Sequence, residues 1–117
     1  MQLFDSELKV MEILWKEGDI PAAQIAKELK KSIGWNPNTT YTVIKKCIAK
    51  GAITRYEPHF VCHAMITKKQ AQVSKLRLLI DTVFGGSKTD FFAAFLQSEE
   101  LSDEELQKIR EMVKEFQ

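Results

Sequence analysis

The sequence predicts a mainly α-helical fold with one small β-hairpin, and three observations carry that prediction. Apolar residues recur at three- and four-residue spacing in six stretches, the period of a helix with one buried face. Asn, Ser, Thr and Gly stand at the edges of those stretches, where the unpaired backbone groups of helix ends need partners. Two β-rich runs, Ile53-Thr54-Arg55-Tyr56 and Phe60-Val61-Cys62-His63-Ala64, are separated by Glu57-Pro58-His59, which confines proline to the turn.

Taken in order, Asp5 is expected to cap a first helix whose apolar stripe is Leu8, Met11, Ile13, Leu14 and Trp15, with Gly18 ending it. Ile20-Pro21 leads into a short second helix carrying Ala22, Ile25, Ala26 and Leu29, with Pro21 in the first turn, where a missing N–H costs nothing. Ser32-Ile33-Gly34-Trp35 reads as a turn. Asn36-Pro37 then starts a third helix, Asn as N-cap and Pro at the first helical position, running to about Lys50 and stopped by Gly51. Its core face is Thr40, Val43, Ile44, Cys47 and Ile48. Its other face is polar and basic: Asn38, Thr39, Tyr41, Thr42, Lys45 and Lys46. Three short helices followed by a hairpin outline a winged helix-turn-helix, in which the third helix enters the DNA major groove.

Beyond Ile66 the character changes. Thr67-Lys68-Lys69-Gln70 is a capping box opening a fourth helix with Val73, Leu76, Leu79, Ile80 and Val83, broken by Gly85-Gly86. Ser87 caps a fifth helix rich in phenylalanine, and Ser102-Asp103-Glu104-Glu105 opens a sixth. Three amphipathic helices without a domain-sized core need a partner, and an identical chain supplies one most simply. The expected organisation is a winged helix-turn-helix DNA-binding domain at 1–66 and a three-helix dimerisation domain at 67–117. Leu76, Ile80, Phe84, Phe91, Phe92, Phe95, Leu106, Ile109 and Val113 are the candidate dimer contacts.

The 117 residues carry a net charge of only +1, but its distribution is uneven. Between Lys27 and Tyr56, seven basic residues face the single acid Glu28, a net +6; between Gln97 and Gln117, seven acids face three bases, a net −4. The basic middle suits a polyanion. No apolar run is long enough to span a membrane, and the first residues lack the pattern of a secretory signal, so a cytoplasmic protein with no membrane partner is expected.

The same segments resemble the penicillinase-repressor family of the BlaI/MecI/CopY type, dimeric winged-helix repressors of β-lactam-resistance or copper-homeostasis genes. The resemblance runs nearly end to end: Asp5-Ser6-Glu7-Leu8-Lys9-Val10-Met11-Glu12-Ile13-Leu14-Trp15 is similar to the family's opening helix, Trp35-Asn36-Pro37-Asn38-Thr39-Thr40-Tyr41-Thr42-Val43-Ile44 to its recognition-helix entry, and Lys50-Gly51-Ala52-Ile53-Thr54-Arg55-Tyr56 to the lead into its wing. Phe84-Gly85-Gly86 and Glu99-Glu100-Leu101-Ser102-Asp103-Glu104-Glu105 resemble its dimerisation segment. The resemblance implies base readout by Asn38, Thr39, Tyr41 and Thr42, groove-edge or phosphate contacts by Lys45 and Lys46, and backbone contacts by Arg55 and Tyr56. Chemistry agrees: Asn suits adenine, the Thr methyl suits thymine, and Lys suits guanine or phosphate. The implied partners are double-stranded operator DNA, a second copy of the chain and an inactivating protease of a sensor pathway.

The chain departs from the family twice. After Cys62 it has no cysteine, so copper sensing through a cysteine-rich tail is not expected. Where the β-lactam branch is cut at an Asn-Phe bond, this chain reads Ala94-Phe95, which leaves release by proteolysis or by ligand open. No cofactor, metal or enzymatic activity is expected. Cys62 and His63 are adjacent, and on a strand they point to opposite faces; Cys47 lies on a core face; and Gly85-Gly86 lacks the Lys-Ser/Thr of a phosphate loop. Trp15 and Trp35 read as packing residues. The remaining alternative is a winged-helix module that binds another protein and no DNA, which would want an apolar or acidic outer face on the third helix.

Overall fold

The computed structural model describes Met1–Gln117. Six helices and three strands follow in the order α1 (Asp5–Glu17), β1 (Ile20–Pro21), α2 (Ala22–Ile33), α3 (Pro37–Ala49), β2 (Ile53–Tyr56), β3 (Val61–Ala64), α4 (Lys68–Val83), α5 (Lys88–Ser98) and α6 (Asp103–Glu115). The chain divides into two compact units, Met1–Arg77 and Leu78–Gln117. The boundary expected after residue 66 falls just before α4, whereas the units part inside that helix, because Ala71 is buried in the core of the first unit.

In the first unit the sheet has the order β1-β3-β2, antiparallel throughout, with Ile20 opposite Cys62 and Ile53 opposite Ala64. Ile20-Pro21 leads into α2 as expected, Pro21 being its N-cap in extended backbone (φ −62°, ψ 147°), and the same two residues also form a short strand that the sequence did not signal. Phe60 is in the turn, with φ 51°, and not in the strand. Helix α2 runs on through Ser32 and Ile33 before Gly34 (φ 74°) ends it in the left-handed region, so the expected turn is shorter than four residues. The core gathers Val10, Met11 and Leu14 from α1, Ala22, Ile25 and Leu29 from α2, Val43, Ile44 and Cys47 from α3, and Ile53 and Cys62 from the sheet. Burying each of the larger aliphatic side chains contributes about 1.5–3 kcal/mol.

Helix α1 is capped differently from expectation. Asp5 is its exposed first residue; the Phe4 N–H is instead held by the Glu7 carboxylate at 2.7 Å. Glu7 itself is fully buried, and its Oε1 also accepts from Lys50 Nζ at the end of α3. Desolvation alone would push this carboxyl up, but the Lys50 hydrogen bond, the Phe4 N–H and the charges of Lys50 and Lys46 outweigh it and hold the pKa below the ordinary value. The ammonium also donates to the Gln2 carbonyl (2.9 Å) and lies 3.9 Å from the centre of the Phe4 ring.

The second unit is built from the end of α4 with α5 and α6. Ser87 caps α5 through Asp90 N–H, and Ser102 and Glu105 close a reciprocal capping box at the start of α6, as their sequence positions predict. Phe91 is the hub of an aromatic cluster, with ring centroids 5.7 Å from Phe84, 5.6 Å from Phe92 and 6.4 Å from Phe95. Ile80 is buried here by its own chain, whereas α5 and α6 contain no buried residue.

Removing the cation from the α1–α3 pair strands a buried carboxylate. Lys50→Ala is expected to lower stability by about 2–4 kcal/mol at neutral pH, the lysine being partly exposed. Because the folded pKa of Glu7 is depressed, the pair's contribution is present above the ordinary carboxylate pKa and lost as the pH falls through the folded one. Denaturant titrations of both proteins at neutral pH and in acid check this: the gap should close on acidification.

Candidate nucleic-acid interface

Helix α3 starts where the sequence places its start. Asn36 Oδ1 accepts the Asn38 N–H at 2.9 Å, and Pro37 occupies the first helical position, which needs no donor. From there the helix is divided lengthwise. Thr40, Val43, Ile44 and Cys47 are buried, and Asn38, Thr39, Thr42, Lys45 and Lys46 are exposed. No acidic residue lies anywhere on α3.

The exposed side chains differ in what they can still offer. Thr42 Oγ1 donates to the Asn38 carbonyl at 2.9 Å, which spends its proton inside the helix and leaves its methyl and lone pairs for a neighbour. Asn38 keeps its whole side-chain amide free of intrachain bonds, a donor and acceptor edge matched to adenine. Lys45 and Lys46 carry no intrachain salt bridge. Tyr41 departs from the rest: it is half-buried, packed on the core, and meets the Phe60 ring edge-on at 5.9 Å. Only part of it faces outward, because its phenyl ring fills the space between α3 and the hairpin turn.

The wing holds its cation in place. Arg55 lies with its guanidinium 3.6 Å from the centroid of Phe60, and its Nε bonds the Glu57 carboxylate, which also accepts the Phe60 N–H at 3.1 Å. These bonds, the Phe60 N–H first and Arg55 next, keep the Glu57 carboxyl below its ordinary pKa, so it stays anionic beside the arginine. Arg55 is thus an oriented guanidinium with part of its charge balanced. Tyr56 is exposed, its ring 6.1 Å from that of His63, and His63 Nδ1 lies 2.8 Å from Asp19 Oδ1. The orienting residues Glu57 and Phe60 were not among the sequence candidates. The alternation of Arg55 and Glu57 on one face of an extended run was the available signal. Lys50, counted in the basic middle, turns inward to Glu7 and does not add to the outward charge.

Cys47 and Cys62 are both buried and unbonded to each other. Burial pushes the Cys47 thiol up to about 12 and the Cys62 thiol up to about 11, so both are protonated near neutrality and poor nucleophiles. No group of three or more His, Cys, Asp or Glu side chains is gathered where an ion could sit. No helix is long and apolar enough to cross a membrane.

Of the expected dimer contacts, Phe92 and Val113 are half exposed and Leu76 is 43% exposed. Phe84, Phe91, Phe95, Leu106 and Ile109 are partly covered by their own unit, and Ile80 almost wholly. Met112 and Phe116 add to the exposed apolar side of α6. Ala94-Phe95 lies inside α5 with both residues half-buried, so cleavage of that bond requires the helix to unwind.

Comparison with known proteins places this arrangement among relatives. The profile of the family described as penicillinase repressor matches residues 3–115. The chain is 28% identical to the penicillinase repressor of Bacillus licheniformis over 97% of this chain and 91% of that protein. It is 24% identical to the methicillin resistance regulatory protein MecI of Staphylococcus aureus (strain N315) over 96% and 93%. Among solved structures it resembles the DNA-binding domain of the repressor BlaI, with TM-score 0.54 and 35% identity over 57% of this chain and 84% of that one. It also resembles the monomeric form of B. licheniformis BlaI in complex with the blaP half-operator, with TM-score 0.53 and 34% identity over 59% and 87%.

Proposed function

This chain belongs to the penicillinase repressor family, and from that premise we propose that it is a transcriptional repressor which binds duplex DNA as a homodimer on a pseudo-palindromic operator, in control of resistance or of metal and stress genes. The observation that carries the reading is the outward side of α3, where amide, hydroxyl and ammonium groups stand together with no acid among them. Such a side suits base edges and phosphates. A docking site for protein alone would want apolar or acidic groups there, and α3 offers neither. The B. licheniformis relative bound to a half-operator supports DNA as the partner.

In this reading Asn38, Thr39, Thr42 and the outer part of Tyr41 meet base edges, Lys45 and Lys46 the groove edge or phosphates, and Arg55 and Tyr56 the backbone beside the wing. The second copy is supported by α6: its Leu106, Ile109, Met112, Val113 and Phe116 recur at helical spacing, yet no residue of the helix is buried. An apolar stripe of that kind belongs against a partner. Two joined copies place their third helices about 34 Å apart, or a small multiple of it, and occlude a promoter by occupying it.

Three outcomes follow for the intact chain. Lys46→Ala weakens binding to every duplex alike and flattens the log–log salt dependence by about one, the share of one phosphate, as read from titrations across salt concentrations. Thr42→Ala costs about 1–3 kcal/mol at one base position and relaxes preference there, which competition among single-base operator variants measures. Uniform weakening would mean that Thr42 does not read sequence. Phe92→Glu with Val113→Glu yields a monomer by sedimentation that binds an operator roughly a hundredfold more weakly, since linked half-sites gain by effective concentration. A persisting dimer would place the interface elsewhere.

A further inference from the structure

Glu57 is the only acidic residue between Glu28 and Asp81, a stretch whose other charged side chains are lysines and arginines. It stands in the turn of the hairpin, beside the residues read above as meeting a polyanion, where a negative charge by itself opposes binding. Stability does not account for it. Its side chain is 58% exposed and that of Arg55 45%, and an ion pair so open to water adds little to a fold. Yet both of its carboxylate oxygens are engaged: Oε1 accepts from Arg55 Nε, and Oε2 accepts the Phe60 N–H.

Phe60 is itself a fixed platform. Its carbonyl accepts the Ala22 N–H at the start of α2 (2.9 Å), and its ring meets Tyr41 of α3 edge-on. His59 and Phe60 hold φ 76° and 51°, a region that residues with a Cβ enter only at a cost. The Arg55 guanidinium lies over this ring, 3.6 Å from its centroid, with Glu57 against one edge. Nε is thereby spent, and Arg55 makes no other hydrogen bond or ion pair, so its free donors are those of the two terminal nitrogens. An oxyanion approaching from the side would need Nε and is shut out. The end of the fork is open.

We infer that Glu57 and Phe60 are positioning residues for a phosphate contact by Arg55: the acid strengthens binding to a polyanion by fixing the cation beside it, and it restricts that cation to end-on capture of one phosphate. This rests on the DNA-binding reading above. A free arginine loses several rotatable bonds' worth of freedom on docking; one already held between a ring and a carboxylate loses less. The saving outweighs a single exposed repulsion, because charge on the surface is screened and the arginine meets the phosphate directly.

The test is a double-mutant cycle in the full chain, read as affinity for duplexes that the wild type selects from a random-sequence pool. Glu57→Ala is expected to weaken binding roughly threefold to tenfold, the cost of ordering one long side chain, although it removes a negative charge. In an Arg55→Ala background the same change is expected to act with the opposite sign and tighten binding about twofold, since only repulsion is left to lose. Glu57→Gln, which keeps the acceptor oxygen, stays within about twofold of the wild type, and the melting temperature is unchanged throughout. Tighter binding by Glu57→Ala in the wild-type background would overturn the inference, as would a loss of equal size in both backgrounds or a lowered melting temperature, either of which would make Glu57 a residue of the wing's stability. Glu57→Gln as weak as Glu57→Ala would overturn it too. A wild type that selects no duplex from the pool would overturn the underlying reading with it.

Discussion

One helix must face two ways, and the first unit is arranged around that constraint. Helix α3 gives Thr40, Val43, Ile44 and Cys47 to the core, so Thr42, Lys45 and Lys46 between them face water, while the Tyr41 ring turns back against Phe60. Burial thus fixes the rotation of the helix about its axis. The Glu7–Lys50 pair stops it from sliding, because a carboxylate wholly removed from water cannot give up its cation cheaply. Asn36 caps the opposite end from within, by its own bond to the Asn38 N–H. A helix capped at its start, tied at its end and packed along one side presents Asn38, Thr42, Lys45 and Lys46 at defined positions before any ligand arrives, which spares the ordering entropy that a flexible surface would lose on binding.

The hairpin is joined to that helix by aromatic contact. Tyr41 on α3 touches Phe60 in the turn, and Phe60 carries the Arg55 guanidinium on its face. Position therefore passes from α3 to the wing through two rings, and Glu57 completes the fixation by bonding both Arg55 and the Phe60 backbone. An arginine so held trades some of its charge for direction.

Much of this was legible in the sequence, for physical reasons that can be named. The caps at Asn36, Thr67, Ser87 and Ser102 were readable because a polar side chain at a helix start bonds backbone only two or three residues away. The stripe on α3 was readable because burial repeats with the helical period. What escaped was non-local or contrary to type. Glu7 looks like a solvated residue until Lys50, 43 positions on, is seen to cover it. Val10 was passed over in the α1 stripe although it is fully buried. Ile20-Pro21 is too short to show the alternation of a strand, and its pairing with Val61 and Cys62 is decided by the fold. Tyr41 has a polar tip and an apolar ring, and sequence alone did not say which would win.

The sheet order β1-β3-β2 places Pro21 on one outer strand and Arg55 on the other. Proline lacks the donor that an incoming peptide would need, and a four-residue strand ending in a charged, bulky pair offers little template. Short, blunted margins let copies of the chain crowd together in solution without fusing edge to edge into fibrils.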